Sequence, residues 1–218
     1  MKRLAIFDFD GTLFDSVDDV INCFNKALTT HDFPILTREE YIKCFGGDID
    51  EIVSLVLKDK SSGENIELVK ETYLNCYNSS KKENTLPFPE IHQLLKILQD
   101  NNVLLAINSN RLNYSVKFFT EKYLNDINFS YIAGQDPDIP SKPDPYCVNK
   151  IIKKMQLSND EVIYIGDSRT DIKTAQNADI DCLIVKWGYG DENDYKNPNI
   201  LNCVQNPLEI LDYFDISY

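Results

Sequence analysis

The chain has 218 residues, of which 43% are hydrophobic, enough to bury the core of one domain or of a domain with a smaller one inserted. Asp and Glu outnumber Lys and Arg by 35 to 22, and no basic stripe is present, which excludes nucleic acid as a bulk partner. No apolar run approaches the roughly 20 residues of a membrane span, and aspartates interrupt the first twenty residues. We therefore predict a cytoplasmic protein that does not contact the membrane.

The cysteines are scattered along the chain and form no Cys-x-x-Cys pair. With only two histidines as further ligands, they do not predict a zinc site. Because a chain of this size without a secretion signal usually keeps its thiols buried, we predict that all of them are reduced. They are Cys23, Cys44, Cys76, Cys147, Cys182 and Cys203.

The first predicted element is a buried strand over residues 3–7, which the acidic residues and glycine of the segment 8–12 end. From Ser16 to about Ser80 the apolar residues recur at helical spacing, with a capping box at residues 37–40 and a break at Gly46-Gly47. This whole stretch is predicted to be helical. Residues 81–89, which are polar and then contain proline, are predicted to be a linker.

Beyond the linker, strands alternate with helices. The predicted strands are 103–107, 129–133, 162–165 and 182–185; the predicted helices are 90–99, 112–124, 146–155, 171–177 and about 208–213. Such alternation predicts an α/β fold, a doubly wound parallel sheet of the Rossmann-like kind. We expect a core domain over residues 1–15 and 86–218 and an all-helical domain, residues 16–85, inserted after the first strand.

Polar residues follow the predicted strands, and in a doubly wound sheet the carboxyl ends of the strands meet at one ligand-binding edge. A shared site is therefore expected for Asp8, Asp10, Ser109, Asn110, Lys142, Asp167 and Asp171. Two carboxylates about 4 Å apart repel by roughly 4 kcal/mol at an effective dielectric near 20, so four of them require a cation. Oxygen ligands without histidine or cysteine favour Mg²⁺.

The same residues suggest phosphoryl transfer. Lys142 and the groups around Ser109 can neutralise the phosphoryl oxygens that the metal does not reach. Asp8 can attack phosphorus and form an acyl-phosphate, which divides one difficult displacement into two easier ones. Asp10, two residues on, can protonate the leaving oxygen and later take a proton from the hydrolytic water.

Four ordered motifs carry these residues: Asp8-Phe9-Asp10-Gly11-Thr12-Leu13, Ser109-Asn110, Lys142-Pro143 and Gly166-Asp167-Ser168-Arg169-Thr170-Asp171. Together they resemble the motifs of the haloacid dehalogenase superfamily, specifically its phosphoglycolate-phosphatase-like branch. The resemblance implies a phosphoric monoester hydrolase that acts on a small phosphorylated metabolite, with the helical insertion as a cap that closes over the substrate. Two departures are Ser109 in place of threonine and Arg111 in place of lysine.

The resemblance also assigns roles to individual residues. Asp8 would be the nucleophile, Asp10 the acid and base, and Lys142 the stabilising charge. Mg²⁺ would be bound by the Asp8 carboxylate, the Asp10 main-chain carbonyl and Asp167, with Asp171 steadying the metal or its waters. The phosphate-binding set would be Gly11, Thr12, Ser109, Asn110 and Lys142.

Several alternatives stay open at this point. Asp171 could instead be a first-turn acid favoured by the helix dipole. Trp187, Tyr189 and Tyr195 are interpreted as packing residues.

The function also has alternatives. The enzyme could be a phosphomutase of the β-phosphoglucomutase type, although residues 45–50 lack the arginine that similar mutases place there. It could also be a nucleotidase or a pyrophosphatase. An inactive binding module would be expected to have lost Asp8 or Asp10. The choice between monomer and homodimer is open.

Overall fold

The computed structural model describes residues 1–217 and divides the chain into two compact units. One unit consists of Met1–Phe14 together with the chain from Pro87 onward, and the other is Asp15–Leu86. The chain passes between them through two short strands, β2 (Phe14–Asp15) and β3 (Leu86–Pro87). The catalytic and cap roles expected for the two parts remain predictions.

The first unit is built on a six-stranded sheet in the order β5-β4-β1-β6-β7-β8, with every pair of neighbours parallel. Its strands are β1 (Leu4–Phe7), β4 (Leu104–Leu112), β5 (Phe129–Gln135), β6 (Val162–Gly166), β7 (Asp181–Val185) and β8 (Asn202–Val204). From the central β1 the chain builds outward to one side through β4 and β5, and then to the other side from β6. The strand order therefore reverses at β1, where a ligand site is expected.

Helices cover both faces of this sheet. Along β1, Leu4 and Ile6 belong to one buried cluster and Ala5 and Phe7 to another, because successive side chains of a strand point to opposite faces. The helices and 3₁₀ segments are α5 (Ile91–Asp100), α6 (Asn113–Tyr123), α7 (Tyr146–Met155), α8 (Arg169–Asn177), α9 (Glu192–Tyr195), 159–161 and 207–214. The predicted doubly wound α/β fold is thus confirmed.

Several elements differ from the prediction, among them β2, β3 and α9, which were not predicted. The strand expected to end at Ile107 continues to Leu112, across a shift in its register with β5 after Asn108. The last helix is a 3₁₀ segment, and the short edge strand β8 was not predicted. The polar residues 108–111 carry no alternating apolar signal, so their strand conformation depends on pairing with a neighbour.

The second unit contains four helices: α1 (Val17–Thr30), α2 (Arg38–Cys44), α3 (Ile49–Leu57) and α4 (Gly63–Ser79). Their apolar faces form a separate buried cluster that includes Phe24, Tyr41 and Tyr73. The capping box predicted at the start of α2 is present, with Thr37 and Glu40 bonded to each other's backbone N–H groups. Nowhere in residues 1–217 is a helix both long enough and apolar enough to span a membrane.

A disulfide joins Cys23 in α1 to Cys76 in α4. The prediction that all six cysteines are reduced is wrong for this pair, while the other four are free thiols. The two cysteines are 53 positions apart, and only the packing of α1 against α4 brings their Cα atoms to 5.5 Å. That separation is within the range that a disulfide spans, and the spacing of cysteines along the chain could not reveal it.

Candidate active site

The candidate site lies at the carboxyl ends of β1 and β6. Phe7 is in register with Ile107 of β4 and Ile165 of β6, so the next residue, Asp8, emerges between two neighbouring strands. The Asp8 backbone N–H donates to the Ile165 carbonyl over 2.8 Å, which extends the sheet pairing by one residue. Phe9 packs into the core beneath, stacked on Phe14, so the strand end directs the Asp8 carboxylate away from the core.

Lys142 lies between two buried carboxylates. Its Nζ is 2.8 Å from Asp8 Oδ1 and 2.7 Å from Asp171 Oδ1. Asp8 Oδ1 is buried, and the Lys142 ammonium is the positive charge that contacts it. Burial by itself would lower the pKa of Lys142, but Asp171 and Asp8 outweigh it and hold that pKa well above its ordinary value. Lys142 is therefore a fixed positive charge beside Asp8.

Three carboxylates converge at this point. One oxygen from each of Asp8, Asp167 and Asp171 lies within 4.8 Å of the other two. Burial raises the pKa of Asp8 to about 7 and that of Asp167 well above its usual range, and the neighbouring carboxylates add to both shifts. Ionised together, two such groups 4.8 Å apart would repel by about 3 kcal/mol at an effective dielectric of 20.

The residues present fit a hard divalent cation. The donors are carboxylate oxygens, the type that Mg²⁺ and Ca²⁺ prefer, and Lys142 alone does not balance three negative charges. The ammonium of Lys142 is shared between Asp8 Oδ1 and Asp171 Oδ1, at 2.8 and 2.7 Å, and so leaves Asp167 without a positive charge of its own in the cluster. The cluster thus offers the oxygen donors and the excess negative charge that a hard divalent cation would compensate.

Both carboxylate oxygens of Asp171 accept hydrogen bonds from other residues of the protein. Its Oδ1 accepts from Lys142, and its Oδ2 accepts from the backbone N–H of Asp167 at 3.2 Å and from the N–H and hydroxyl of Ser168 at 3.1 and 2.9 Å. These bonds make Asp171 the first-turn acid of α8 as well as the anchor of Lys142. The interpretation of Asp171 as a first-turn acid thus agrees with its contacts, and its role toward a metal stays a prediction.

The segment after β7 encloses Asp167, which is 2% exposed. The Tyr189 N–H donates to Asp167 Oδ2 over 2.7 Å. Gly11, at φ +78°, and Gly188 both approach so closely that a Cβ on either residue would overlap Asp167. Trp187 Nε1 donates to the Thr12 carbonyl over 3.0 Å. Interpreted from sequence as packing residues, Trp187 and Tyr189 also hold the loops that fix this carboxylate.

The remaining predicted phosphate-binding residues are used in different ways. Thr12 is fully buried, and its hydroxyl makes no hydrogen bond with the described residues. The Asn110 side chain exchanges two hydrogen bonds with the backbone of Lys142, at 2.7 and 3.1 Å, and so fixes the loop that presents the lysine. Ser109, 5% exposed, accepts from the Arg111 N–H. Both residues lie inside β4, not in a loop after it.

Asp10 faces a partner that the sequence presented only as a departure from a motif. The Arg111 guanidinium binds both oxygens of the Asp10 carboxylate, with Nε 3.0 Å from each and Nη2 2.6 Å from Oδ1. The two residues are 101 positions apart. No rule of sequence spacing could pair them. The one signal in the sequence was a positively charged residue two positions after Ser109.

Comparison with known proteins gives a consistent result. A family model described as haloacid dehalogenase-like hydrolase matches residues 5–185. A phosphoglycolate phosphatase from Psychrobacter arcticus is 30% identical over an alignment covering 100% of this chain and 97% of its own. A phosphoglycolate phosphatase from Aquifex aeolicus is 29% identical over 86% of each chain.

Solved structures agree. A candidate phosphoglycolate phosphatase from Lactobacillus delbrueckii subsp. bulgaricus superimposes with a TM-score of 0.91 at 26% identity, over 98% of both chains. A candidate haloacid dehalogenase-like hydrolase from Bacteroides fragilis reaches a TM-score of 0.89 over 96% of this chain and 100% of its own, and at 24% identity it supports the fold alone.

Proposed function

Since the chain belongs to the haloacid dehalogenase-like hydrolase family and is one of its phosphatases, we propose that it hydrolyses a small-metabolite phosphate monoester through an aspartyl-phosphate on Asp8. The observation that carries the proposal is the ion pair between Asp8 and Lys142 inside a cluster of three buried carboxylates. The proposed nucleophile, a fixed positive charge and carboxylates that could bind a cation thus lie within a few ångströms of one another.

Asp8 is suited to attack phosphorus. Its carboxylate is buried, so little water competes for it, and Lys142 stands close enough to neutralise an incoming phosphoryl oxygen. In the first half-reaction the bond between Asp8 and phosphorus forms as the bond to the leaving oxygen breaks. In the second, water displaces the aspartate and releases phosphate.

Mg²⁺ is the proposed cofactor. Asp8, Asp167 and the Asp10 main-chain carbonyl would hold it, as the family resemblance implies. The ion would supply positive charge to the transferring phosphoryl group and allow the clustered carboxylates to ionise together. Asp171 is proposed to steady this arrangement through Lys142 and the Asp167 N–H, because both of its oxygens already accept hydrogen bonds from the protein.

Asp10 is the proposed general acid and base. It would protonate the leaving oxygen in the first half-reaction and take a proton from the attacking water in the second. It stands two residues after Asp8, where dehalogenases and transport ATPases of the superfamily lack a carboxylate. A reaction that needs protonation of an alkoxide leaving group gains most from such a residue.

Phosphoglycolate is the first candidate substrate, because several curated relatives carry the name phosphoglycolate phosphatase. The helical unit Asp15–Leu86 is proposed to be the family's cap, which selects the leaving group and excludes water. We retain the prediction of a cytoplasmic location.

The test measures phosphate release from phosphoglycolate, sugar phosphates, nucleoside monophosphates and pyrophosphate, with Mg²⁺ and with a chelator. Wild type is compared with Asp8→Asn and with Asp100→Asn, a matched change in an exposed carboxylate that forms an ion pair with Lys96. We expect metal-dependent release that is lost in Asp8→Asn and kept in Asp100→Asn. Acid quenching during turnover should trap phosphate on wild type and on Asp100→Asn, and none on Asp8→Asn.

Turnover by folded Asp8→Asn at the wild-type rate would refute the covalent route, because an amide cannot attack phosphorus. Transfer of phosphate to a second sugar hydroxyl, in place of release to water, would point to the phosphomutase alternative.

A further inference from the structure

We propose that Arg111 is a positioning residue for the Asp10 carboxylate, and through it for proton transfer to the leaving oxygen. This inference rests on the proposed function, because it takes Asp10 as the general acid. The family resemblance gives this position only as one where lysine is common, so the argument for its role comes from the contacts that Arg111 makes.

The pair has the geometry of specific recognition. Arg111 donates three hydrogen bonds to the two Asp10 oxygens, from Nε to both and from Nη2 to Oδ1, at distances of 2.6 to 3.0 Å. A planar guanidinium that binds both oxygens of a carboxylate fixes its rotation as well as its position. A single contact from a lysine ammonium would leave that rotation free.

Arg111 itself is held on its other sides. Nη1 donates to the hydroxyl of Ser115 over 3.1 Å, and Ser115 is 2% exposed. The guanidinium carbon lies 5.2 Å from the ring centre of Phe9 and 5.5 Å from that of Phe119, two fully buried aromatic residues. The Arg111 side chain is only 6% exposed. An arginine fixed in this way can act as a rigid support.

The support is connected to the rest of the site. The Arg111 N–H donates to the hydroxyl of Ser109, the proposed phosphate-binding residue, over 3.1 Å. Both residues lie in β4, in the irregular stretch between its paired residues Asn108 and Leu112. Asp10, whose side chain is 32% exposed, is the end of this chain of contacts that reaches solvent. The group proposed to meet the substrate is therefore the one that the buried arginine orients.

An ion pair of this kind could also serve stability alone, so the test needs a readout that stability does not move. Dependence of the rate on the leaving group is such a readout. A phosphate ester with a good leaving group, such as 2,4-dinitrophenyl phosphate, departs without protonation, whereas phenyl phosphate depends on the general acid. Loss of positioning should slow the second ester much more than the first.

The experiment measures kcat/KM for a series of aryl phosphates from phenyl to 2,4-dinitrophenyl phosphate, in Mg²⁺, for wild type, Arg111→Met, Arg111→Lys and Asp10→Asn. Arg3→Met is the matched control, because Arg3 pairs with Glu161 over 2.7 Å at an exposed position. Thermal melting of each variant checks its folding, and Ser115→Ala supplies a milder change that removes only the Nη1 contact.

Misplacing a catalytic group by about 1 Å costs on the order of 10²-fold in rate. We therefore expect Arg111→Met to lose roughly 10- to 100-fold more activity on phenyl phosphate than on 2,4-dinitrophenyl phosphate, in the same direction as Asp10→Asn. Arg111→Lys and Ser115→Ala should show smaller losses with the same dependence on the leaving group, and Arg3→Met should match wild type.

The outcomes separate the two proposals. Equal losses on all esters in Arg111→Met and Arg111→Lys, with Asp10→Asn still selective, would overturn the positioning role and leave the proposed function standing. If Asp10→Asn lost the same factor in kcat/KM on every ester, Asp10 would not be the general acid, and the role of Arg111 would be overturned with it. Wild type without metal-dependent hydrolysis of any aryl phosphate or of any phosphorylated metabolite named above would overturn the proposed function itself.

Discussion

Replacing Asp8 by Asn removes the proposed nucleophile, yet we expect it to stabilise the metal-free protein at neutral and higher pH. The reason is that the Asp8 carboxylate is buried beside two others, and burial raises its pKa from 3.8 to about 7. An amide at this position carries no charge at any pH, so it avoids the cost of ionising a buried group.

The direction in which stability changes with pH follows from proton linkage. Between the unfolded pKa of 3.8 and the folded pKa of about 7, the folded state of the wild type holds a proton on Asp8 that the unfolded state has lost. Stability therefore falls as the pH rises through this window and levels off above it. Between about pH 5 and about pH 8 this shift would lower the free energy of unfolding of the wild type by about 3 kcal/mol. This is an upper figure for the advantage of Asp8→Asn, since Asn also loses the ion pair with Lys142.

The assay is urea unfolding in the presence of a chelator at these two pH values, for wild type, Asp8→Asn and the surface control Asp100→Asn. The stability difference between Asp8→Asn and wild type should grow with pH, while Asp100→Asn should follow wild type at both values. Added Mg²⁺ should raise the melting temperature of wild type at the higher pH and have little effect on Asp8→Asn, because the ion binds the ionised carboxylate.

The reasoning fails if the difference between Asp8→Asn and wild type is the same at both pH values. That result would mean that Asp8 titrates normally in the folded protein, and that the cluster does not need a cation to hold its charge. A difference that shrinks with pH would contradict the sign of the argument directly.

Two further predictions concern other parts of the molecule. Gly188→Ala should weaken Mg²⁺ binding at least tenfold by isothermal titration, because its Cβ would overlap Asp167, whereas Gly63→Ala, with no atom near the added methyl group, should bind normally; equal affinities would show that the loop tolerates the methyl. The Cys23–Cys76 disulfide closes a loop of 53 residues, so Cys23→Ser should lose up to about 4 kcal/mol under oxidising conditions and nothing in reductant. Identical denaturation curves under oxidising conditions would contradict that prediction.

The sequence alone predicted the fold class and the family, because both are indicated by patterns among residues that are close together in the chain. Alternating strand and helix periodicity gave the doubly wound sheet, and the family model confirms the resemblance that the four motifs suggested. Two of the motifs are short runs at the ends of β1 and β6, and at the first of these, chain direction and side-chain alternation already decide which way Asp8 and Phe9 point. The roles of the individual site residues stay predictions.

The sequence was less informative where polar residues continue a strand. Nothing in Ser109-Asn110-Arg111 signals extended structure, and only pairing of β4 with its neighbour carries the strand to Leu112. The cap signals of α2 were readable because the capping box lies within four residues. Conformations fixed by neighbouring residues can be predicted, and those fixed by a distant strand cannot.

Only the tertiary structure decided which side chains meet. Arg111 and Asp10 are 101 positions apart, Cys23 and Cys76 are 53 apart, and the Tyr189 N–H reaches Asp167 across 22. Local propensity determines secondary structure over a few residues, whereas these contacts depend on how whole strands and helices pack. Residue types could therefore suggest which side chains belong to the site, but the contacts that hold these side chains in place depend on the folded chain.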